Sequence, residues 1–259
     1  MVVIVGLTGG IASGKSSVAS QIATSLGKLE KEGLEVVSID GDKLGHLAYA
    51  TGAPAYHKLI EQFGAEEILV EADKGGEERA IDRRKLGGIA FSSKDMMDSL
   101  CAIVWPVIRG EIEESITKAK SKEQEGSARV VIVLEAAVML EAKWEDLVTG
   151  MLIVTFVDRE LAMERLVARN SLSKEEALKR IDAQMSNTER LAAAGGGAMV
   201  SFEDNGVTFM EEEGESEGQE ESRSRSSRRI TATLDNGGSE DSLKEAVATI
   251  VDRIDRILL

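Results

Sequence analysis

The sequence predicts an α/β fold in which a parallel sheet is flanked by helices, and three observations carry that prediction. Short aliphatic runs recur at residues 2–5, 36–39, 130–134 and 152–157. Their residues are apolar at consecutive positions, as strands covered on both faces require. Between the runs, apolar residues return every three or four positions, the period of a helix, and such alternation makes parallel β-α-β units.

Composition bounds the rest. The chain has 259 residues, the length of one large domain or two small ones and enough to bury a real core. Hydrophobic residues make up 42% and charged residues 30%, ordinary for a globular protein. Aromatics are only 3%, so the core must be aliphatic, and stacking platforms for single-stranded nucleic acid are not expected. A net charge of −15 argues against nucleic-acid binding, which needs a basic face. Cys101 is the single cysteine, which rules out an intrachain disulfide and a multi-cysteine zinc site and fits a reducing compartment. No apolar run reaches the ~18–20 residues of a membrane span. The apolar opening, Met-Val-Val-Ile-Val-Gly, reads as a strand and lacks the charged lead of a secretion signal, so a cytoplasmic location is expected.

Taken in order, the first strand runs into a glycine-rich turn. A helix follows, with Val18, Ile22, Ala23, Leu26 and Leu29 on one face. The second strand ends in Asp40-Gly41-Asp42. About eighty residues of helical character follow, with Tyr49, Tyr56, Phe63, Phe91, Trp105 and Pro106. They are expected to form a helical subdomain inserted over the carboxyl end of the sheet. The third strand ends at Glu135. After the fourth comes a helix bearing Arg165 and Arg169, then a second opened by Ser173-x-x-Glu176, a capping box. Residues 195–228 begin with three glycines, hold nine acidic and no basic residues over 203–221, and end in a Ser/Arg run. Such composition does not bury enough apolar surface to order itself, so a disordered surface insertion is expected. Residues 230–234 read as a fifth strand, and Ser242-x-x-Glu245 as the opening of the final amphipathic helix.

The strongest chemical signal is Gly9-Gly10-Ile11-Ala12-Ser13-Gly14-Lys15-Ser16, a full phosphate-loop pattern between a buried strand and an amphipathic helix. Glycines let backbone N–H groups close on phosphate oxygens, and the helix start adds partial positive charge. Lys15 would reach the terminal phosphates and Ser16 would coordinate Mg²⁺. A glycine-rich turn without ligand is the bland alternative, which pattern and context together disfavour. No guanine-reading Asn-Lys-x-Asp segment occurs. Asp40 and Asp42 stand at a strand end where a carboxylate can take the proton of an acceptor hydroxyl or hold magnesium through water, or they cap the next helix. Arg165 and Arg169 share a helix face. With Arg180 on the next helix they resemble a lid that stabilises the transferring phosphoryl group and excludes water. Residues 131–135 have the shape of a Walker B strand with Glu135 in place of Asp; Glu135 reads first as a strand-end residue capping a helix, with help for magnesium as the alternative. These features together read as a small-molecule kinase.

Val5-Gly-Leu-Thr-Gly-Gly-Ile-Ala-Ser-Gly-Lys-Ser16 and the aspartate pair resemble the dephospho-coenzyme A kinases. The resemblance continues through Asp42-Lys-Leu-Gly-His-Leu-Ala-Tyr49, Pro54-Ala-Tyr56, Phe63-Gly64, Ile81-Asp-Arg83, Leu86 and Phe91. It resumes at Glu164-Arg-Leu-Val-Ala-Arg169 and Arg180-Ile-Asp-Ala-Gln184. Trp105-Pro106-Val-Ile108, with the stretch from Glu135 to Trp144, looks closer to the kinase domain of eukaryotic bifunctional coenzyme A synthase.

The resemblance implies one phosphate-loop (P-loop NTPase-type) kinase domain over 1–259. Its core is 1–43, 129–157 and 229–259, its acceptor subdomain 44–128, its lid 158–194 and its insertion 195–228. It further implies that ATP phosphorylates the ribose 3′-hydroxyl of dephospho-coenzyme A. Gly9, Gly10, Ile11, Ala12, Ser13, Gly14, Lys15, Ser16 and Ser17 would hold the ATP phosphates, with Mg²⁺ at Ser16. Asp42 would be the general base, Arg165 and Arg169 would serve the lid, and Asn236 would lie near the adenine. Tyr49, Trp105 and Arg109 would fall in the acceptor subdomain. Two other readings compete: a related nucleoside or nucleotide kinase, and a nucleotide-sensing scaffold that captures protein partners through 203–228.

Overall fold

The computed structural model describes residues 2–29, 31, 33–71, 79–124, 129–195, 206–211 and 230–258. The chain divides into two compact units, residues 1–39 with 118–259, and residues 40–117.

The described residues of the first unit form six strands: β1 (Val2–Gly9), β2 (Leu34–Asp40), β3 (Arg129–Glu135), β4 (Met151–Phe156), β5 (Val207–Glu211) and β6 (Ile230–Asp235). Their order across the sheet is β2-β3-β1-β4-β6-β5. β1 pairs in parallel with β3 and β4, and β4 in parallel with β6. β5 runs antiparallel to β6 at the edge. Around the sheet lie α1 (Lys15–Gly27), α7 (Arg159–Asn170), α8 (Lys174–Asp182), α9 (Asn187–Ala193) and α10 (Glu240–Ile257). β1, β3 and β4 are buried along almost their whole length, because both faces are covered. Val3, Val5 and Leu7 point to one side, where Val18, Ile22 and Leu26 of α1 meet Leu243, Val247, Ile250 and Ile254 of α10. This layer is a core cluster and is aliphatic, as the low aromatic content requires.

The second unit holds α2 (Gly41–Leu47), α3 (Tyr56–Phe63), α4 (Ala65–Ile68), α5 (Arg83–Ala90) and most of α6 (Lys94–Gln124). Tyr56, Leu59, Phe63, Ile68, Leu86 and Ala90 are buried within it. Leu69 and Ile81 form a single antiparallel bridge, and the Tyr56 hydroxyl donates to the Arg79 carbonyl. Among the described residues, no helix is long and apolar enough to cross a membrane.

Three details differ from the sequence reading. Residues 207–211 form β5 inside the stretch expected to be structureless. Val207 and Phe209 pack on the core while Thr208 faces out, and the Phe209 ring also receives Arg253 at 5.9 Å. Pairing with β6 orders a short run that its acidic surroundings would otherwise leave unpaired; residues 196–205 and 212–229 of that stretch lie outside the described residues. The final helix opens at Ser239, whose side chain accepts from the Ser242 N–H, one turn before the expected cap. Gly237 and Gly238 end the preceding turn there, so the first free N–H groups belong to the residues after Ser239. The helical unit spans 40–117 instead of 44–128, since the last turns of α6 bury Ala119 and pair Lys122 with Glu35 at 2.6 Å in the first unit.

Candidate active site

β1 delivers the loop 9–14 to the start of α1, and the reason α1 starts there is local. Gly14 is its N-cap, with φ of 85°. No side chain caps the helix and no acid sits in its first turn, so its first N–H groups remain for an anion. A Cβ at Gly14 would lie 2.0 Å from Asn236 Nδ2, besides adopting a left-handed conformation. Asn236, 8% exposed, uses that amide to donate to Ser13 O at 2.9 Å. Gly14→Ala is therefore expected to lose about 2–3 kcal/mol, the sum of left-handed strain and a displaced buried hydrogen bond. Denaturant unfolding reads this loss, and nucleotide binding should fall with it.

The loop is also tied down from β4. Ser13 Oγ lies 2.7 Å from Thr155 Oγ1, and Thr155 in turn donates to Thr8 O at 3.2 Å. All three side chains are essentially buried. Ala12 takes a positive φ of 61°, a conformation that costs about 1–3 kcal/mol and persists where surrounding bonds hold it.

Lys15 is 9% exposed, and its Nζ reaches Gly10 O at 3.4 Å across the loop. Ser16 Oγ donates to Glu135 Oε1 at 2.7 Å, which joins the first turn of α1 to the end of β3. Glu135 is only 7% exposed, so a carboxylate and a hydroxyl stand together at the loop. Hard oxygen donors of this kind suit Mg²⁺, which takes one or two protein ligands and completes its shell with phosphate and water. The described residues hold no cluster of three or more His, Cys, Asp or Glu that could bind a metal without a ligand's help.

A cleft of about 410 Å³ opens beside the loop, lined by Ala12, Gly14, Ser17, Arg165, Arg169 and Asn236 among others. The structure thus brings together six positions that the sequence singled out. Within the cleft, Arg165 donates from Nη1 to Ala12 O at 3.3 Å and from Nη2 to Asn236 O at 2.7 Å. It braces α7 against the loop and the β6–α10 turn. Asn236, expected near the adenine, lines the same cleft but spends its amide on the loop.

In the second unit, Asp40 caps α2 by accepting from the Lys43 N–H at 2.9 Å. Burial alone would raise its carboxyl, but the Lys43 N–H and ammonium outweigh that and hold it below the usual range. Asp42 is exposed in the first turn of α2 and does not cap it. Of the two aspartates, capping falls to Asp40. Tyr49 is half-buried, which pushes its hydroxyl up despite the opposing charge of Arg83. Trp105 and Arg109 lie on α6, where Arg109 Nε donates to Glu113 Oε1 at 2.8 Å. The loop residues belong to the first unit and Asp42, Tyr49, Trp105 and Arg109 to the second.

Sequence reasoning passed over several residues that shape the loop. Thr155 was indistinguishable from any strand-end threonine. Gln184, whose Oε1 accepts from the Ile11 N–H at 2.8 Å, was visible only as part of the lid resemblance. Arg190, 1% exposed beside Gly10, left no local signal at all.

The chain is similar to known proteins in sequence and in fold. A dephospho-CoA kinase from Bacillus licheniformis is 40% identical over 190 residues, 73% of this chain and 84% of that protein. One from Carboxydothermus hydrogenoformans is 39% identical over 191 residues, 74% and 82% of the two chains. The crystal structure of TT1252 from Thermus thermophilus matches over 96% of each chain with a TM-score of 0.60 at 24% identity, a likeness of fold. The family model for dephospho-CoA kinase matches residues 3–199, from β1 through the loop to beyond α9, and on this breadth of agreement the chain belongs to the dephospho-CoA kinase family.

Proposed function

We infer that this chain transfers the terminal phosphoryl group of ATP to the ribose 3′-hydroxyl of dephospho-coenzyme A, giving coenzyme A and ADP. The observation that carries the reading is the family membership, joined to a phosphate loop whose chemistry is complete in this chain. The open N–H groups at the start of α1 and Lys15 hold the β- and γ-phosphates. Arg169, on the cleft side of α7, faces the triphosphate, while Arg165 holds the cleft wall through its two carbonyl bonds. Asp42 takes the proton of the 3′-hydroxyl as that oxygen attacks the γ-phosphorus and ADP departs. Tyr49, Trp105 and Arg109 serve acceptor binding.

Ser16 and Glu135 would hold Mg²⁺, which neutralises charge developing on the β- and γ-phosphates when bound. Glu135→Gln keeps the hydrogen bond to Ser16 within reach but removes the charge. The apparent Mg²⁺ affinity, measured by titrating the metal at fixed ATP, is expected to fall about 10–100-fold. Turnover at saturating metal should recover to within a few fold of the parent. A curve that does not move would take Glu135 out of metal binding.

The reading as a whole is tested with purified protein, ATP, Mg²⁺ and dephospho-coenzyme A, separating coenzyme A and ADP by chromatography. Equal amounts of both products, absent in a loop-lysine variant, are expected. A panel of nucleosides and nucleotides as acceptors distinguishes this enzyme from a related kinase. ATP binding without product from any acceptor would overturn the reading in favour of a binding protein.

A further inference from the structure

Among the described residues, Arg190 is one of the largest fully buried side chains, and it comes from α9, a helix of seven residues. Its guanidinium lies against the start of the phosphate loop. A Cβ at Gly10 would stand 3.3 Å from Nη1 and 3.9 Å from Cζ. No described residue accepts a hydrogen bond from its Nε. Glu141 and Glu189 are close enough for their charges to act on it, but Glu141 also keeps a buried carboxylate oxygen without a partner among the described residues. Burial pulls the guanidinium below its ordinary pKa, and an arginine nonetheless stays charged.

A buried cation with an incomplete set of acceptors is costly, and a folded core sheds such groups unless another process benefits from them. The surroundings show which process that is. Gly10 sits between two cations: its carbonyl receives Lys15 Nζ, and its Cα side faces Arg190. The half-enclosed cleft of about 320 Å³ that Arg190 lines also includes Ile11, whose N–H is held by Gln184, and Asn187, which donates to Val157 O at 3.1 Å. The first half of the loop is therefore held from one side by the turn after α8 and by α9, and among the described residues Arg190 Nε is left there without an acceptor.

We propose that Arg190 is a positioning residue for phosphoryl transfer, acting through Gly10 to hold a fixed positive charge behind the part of the phosphate loop that receives the terminal phosphates. The proposal goes beyond the assigned reaction and rests on the loop binding a nucleotide. In a low-dielectric setting a fixed charge acts further than in water, and its benefit grows with each phosphate added to the nucleotide. A brace with no electrostatic role would not distinguish one nucleotide from another.

The test uses the full chain with Arg190→Met, which keeps approximate volume and removes charge, and Arg190→Lys, which keeps charge. Binding of AMP, ADP and ATP with Mg²⁺ is measured by calorimetry, alongside thermal unfolding without nucleotide and kcat and KM for ATP. For Arg190→Met, ATP and ADP are expected to bind about tenfold more weakly, the size of one charge-assisted interaction, with AMP changed less than about twofold. Arg190→Lys should restore ATP binding to within about threefold of the parent. The unfolding temperature of the Met variant should stay level or rise, because an incompletely paired buried charge is gone. Unchanged ATP affinity, or equal weakening for all three nucleotides with a lowered unfolding temperature, would overturn the proposal. If the Met variant does not fold, Arg190→Lys decides: keeping the parent's preference for ATP over AMP supports it, and losing that preference overturns it. Failure of the parent itself to bind ATP would instead count against the nucleotide reading.

Discussion

Asp42→Asn is expected to lower turnover by about 10²–10⁴-fold with little change in KM for ATP, the loss that follows removal of a general base. The substitution keeps the shape of the side chain and leaves α2 its cap, because the Lys43 N–H is held by Asp40. Unfolding by denaturant should therefore match the parent to within about 0.5 kcal/mol, the usual range for an exposed site. Asp40→Ala is the complementary variant. It removes the cap, so it should cost about 0.5–2 kcal/mol in stability and leave turnover nearly intact. If the two variants exchange these effects, the proton acceptor is Asp40. If Asp42→Asn and Asp40→Ala both turn over at the parent's rate, no general base acts at this strand end.

Lys15→Ala should reduce kcat/KM for ATP by about 10²–10³-fold or more, as expected when a preorganised charge on a transferring phosphoryl group is lost. Lys15 is nearly buried and bridges its own loop through Gly10 O, so its ammonium is positioned before any nucleotide arrives. Lys15→Arg is not expected to rescue the rate. A planar fork does not replace a compact point charge in a loop this tightly enclosed, where Ser13 and Gly14 are already pressed between Thr155 and Asn236. The unfolding midpoint of the alanine variant should stay within a few degrees of the parent, which separates a catalytic loss from a folding loss. Turnover within tenfold of the parent would remove Lys15 from the chemistry.

Much of the molecule was legible before any coordinates. The consecutive aliphatic runs became β1 to β4 and β6, and the phosphate loop lies between a buried strand and an amphipathic helix as its pattern requires. Ser173 forms the expected capping box with Glu176, and Ser186 forms a second with Glu189. Each of these signals is local, spanning a few residues whose own hydrogen bonding or period dictates the result. β5 was hidden for the opposite reason. Averaged with its acidic neighbours, Val-Thr-Phe-Met looks unable to order, yet beside β6 its backbone finds partners from Val207 to Glu211. A strand that exists by virtue of its partner leaves only a weak trace in composition.

The active site divides along the same line. Short-range sequence chemistry was enough to mark the phosphate loop with Lys15 and Ser16, because turn glycines and a helix start place those groups within a few residues of one another, and a strand end marked the aspartate pair as candidates. The residues that make the loop rigid come from far along the chain: Glu135 against Ser16, Thr155 against Ser13, Asn236 against Gly14, Arg165 across Ala12, and Arg190 against Gly10. Each is an ordinary residue type whose role arises from burial and from the partner the fold supplies. A buried polar group must find its acceptor or donor wherever the packed sheet brings one, and that pairing is a property of the folded chain, not of any stretch of sequence.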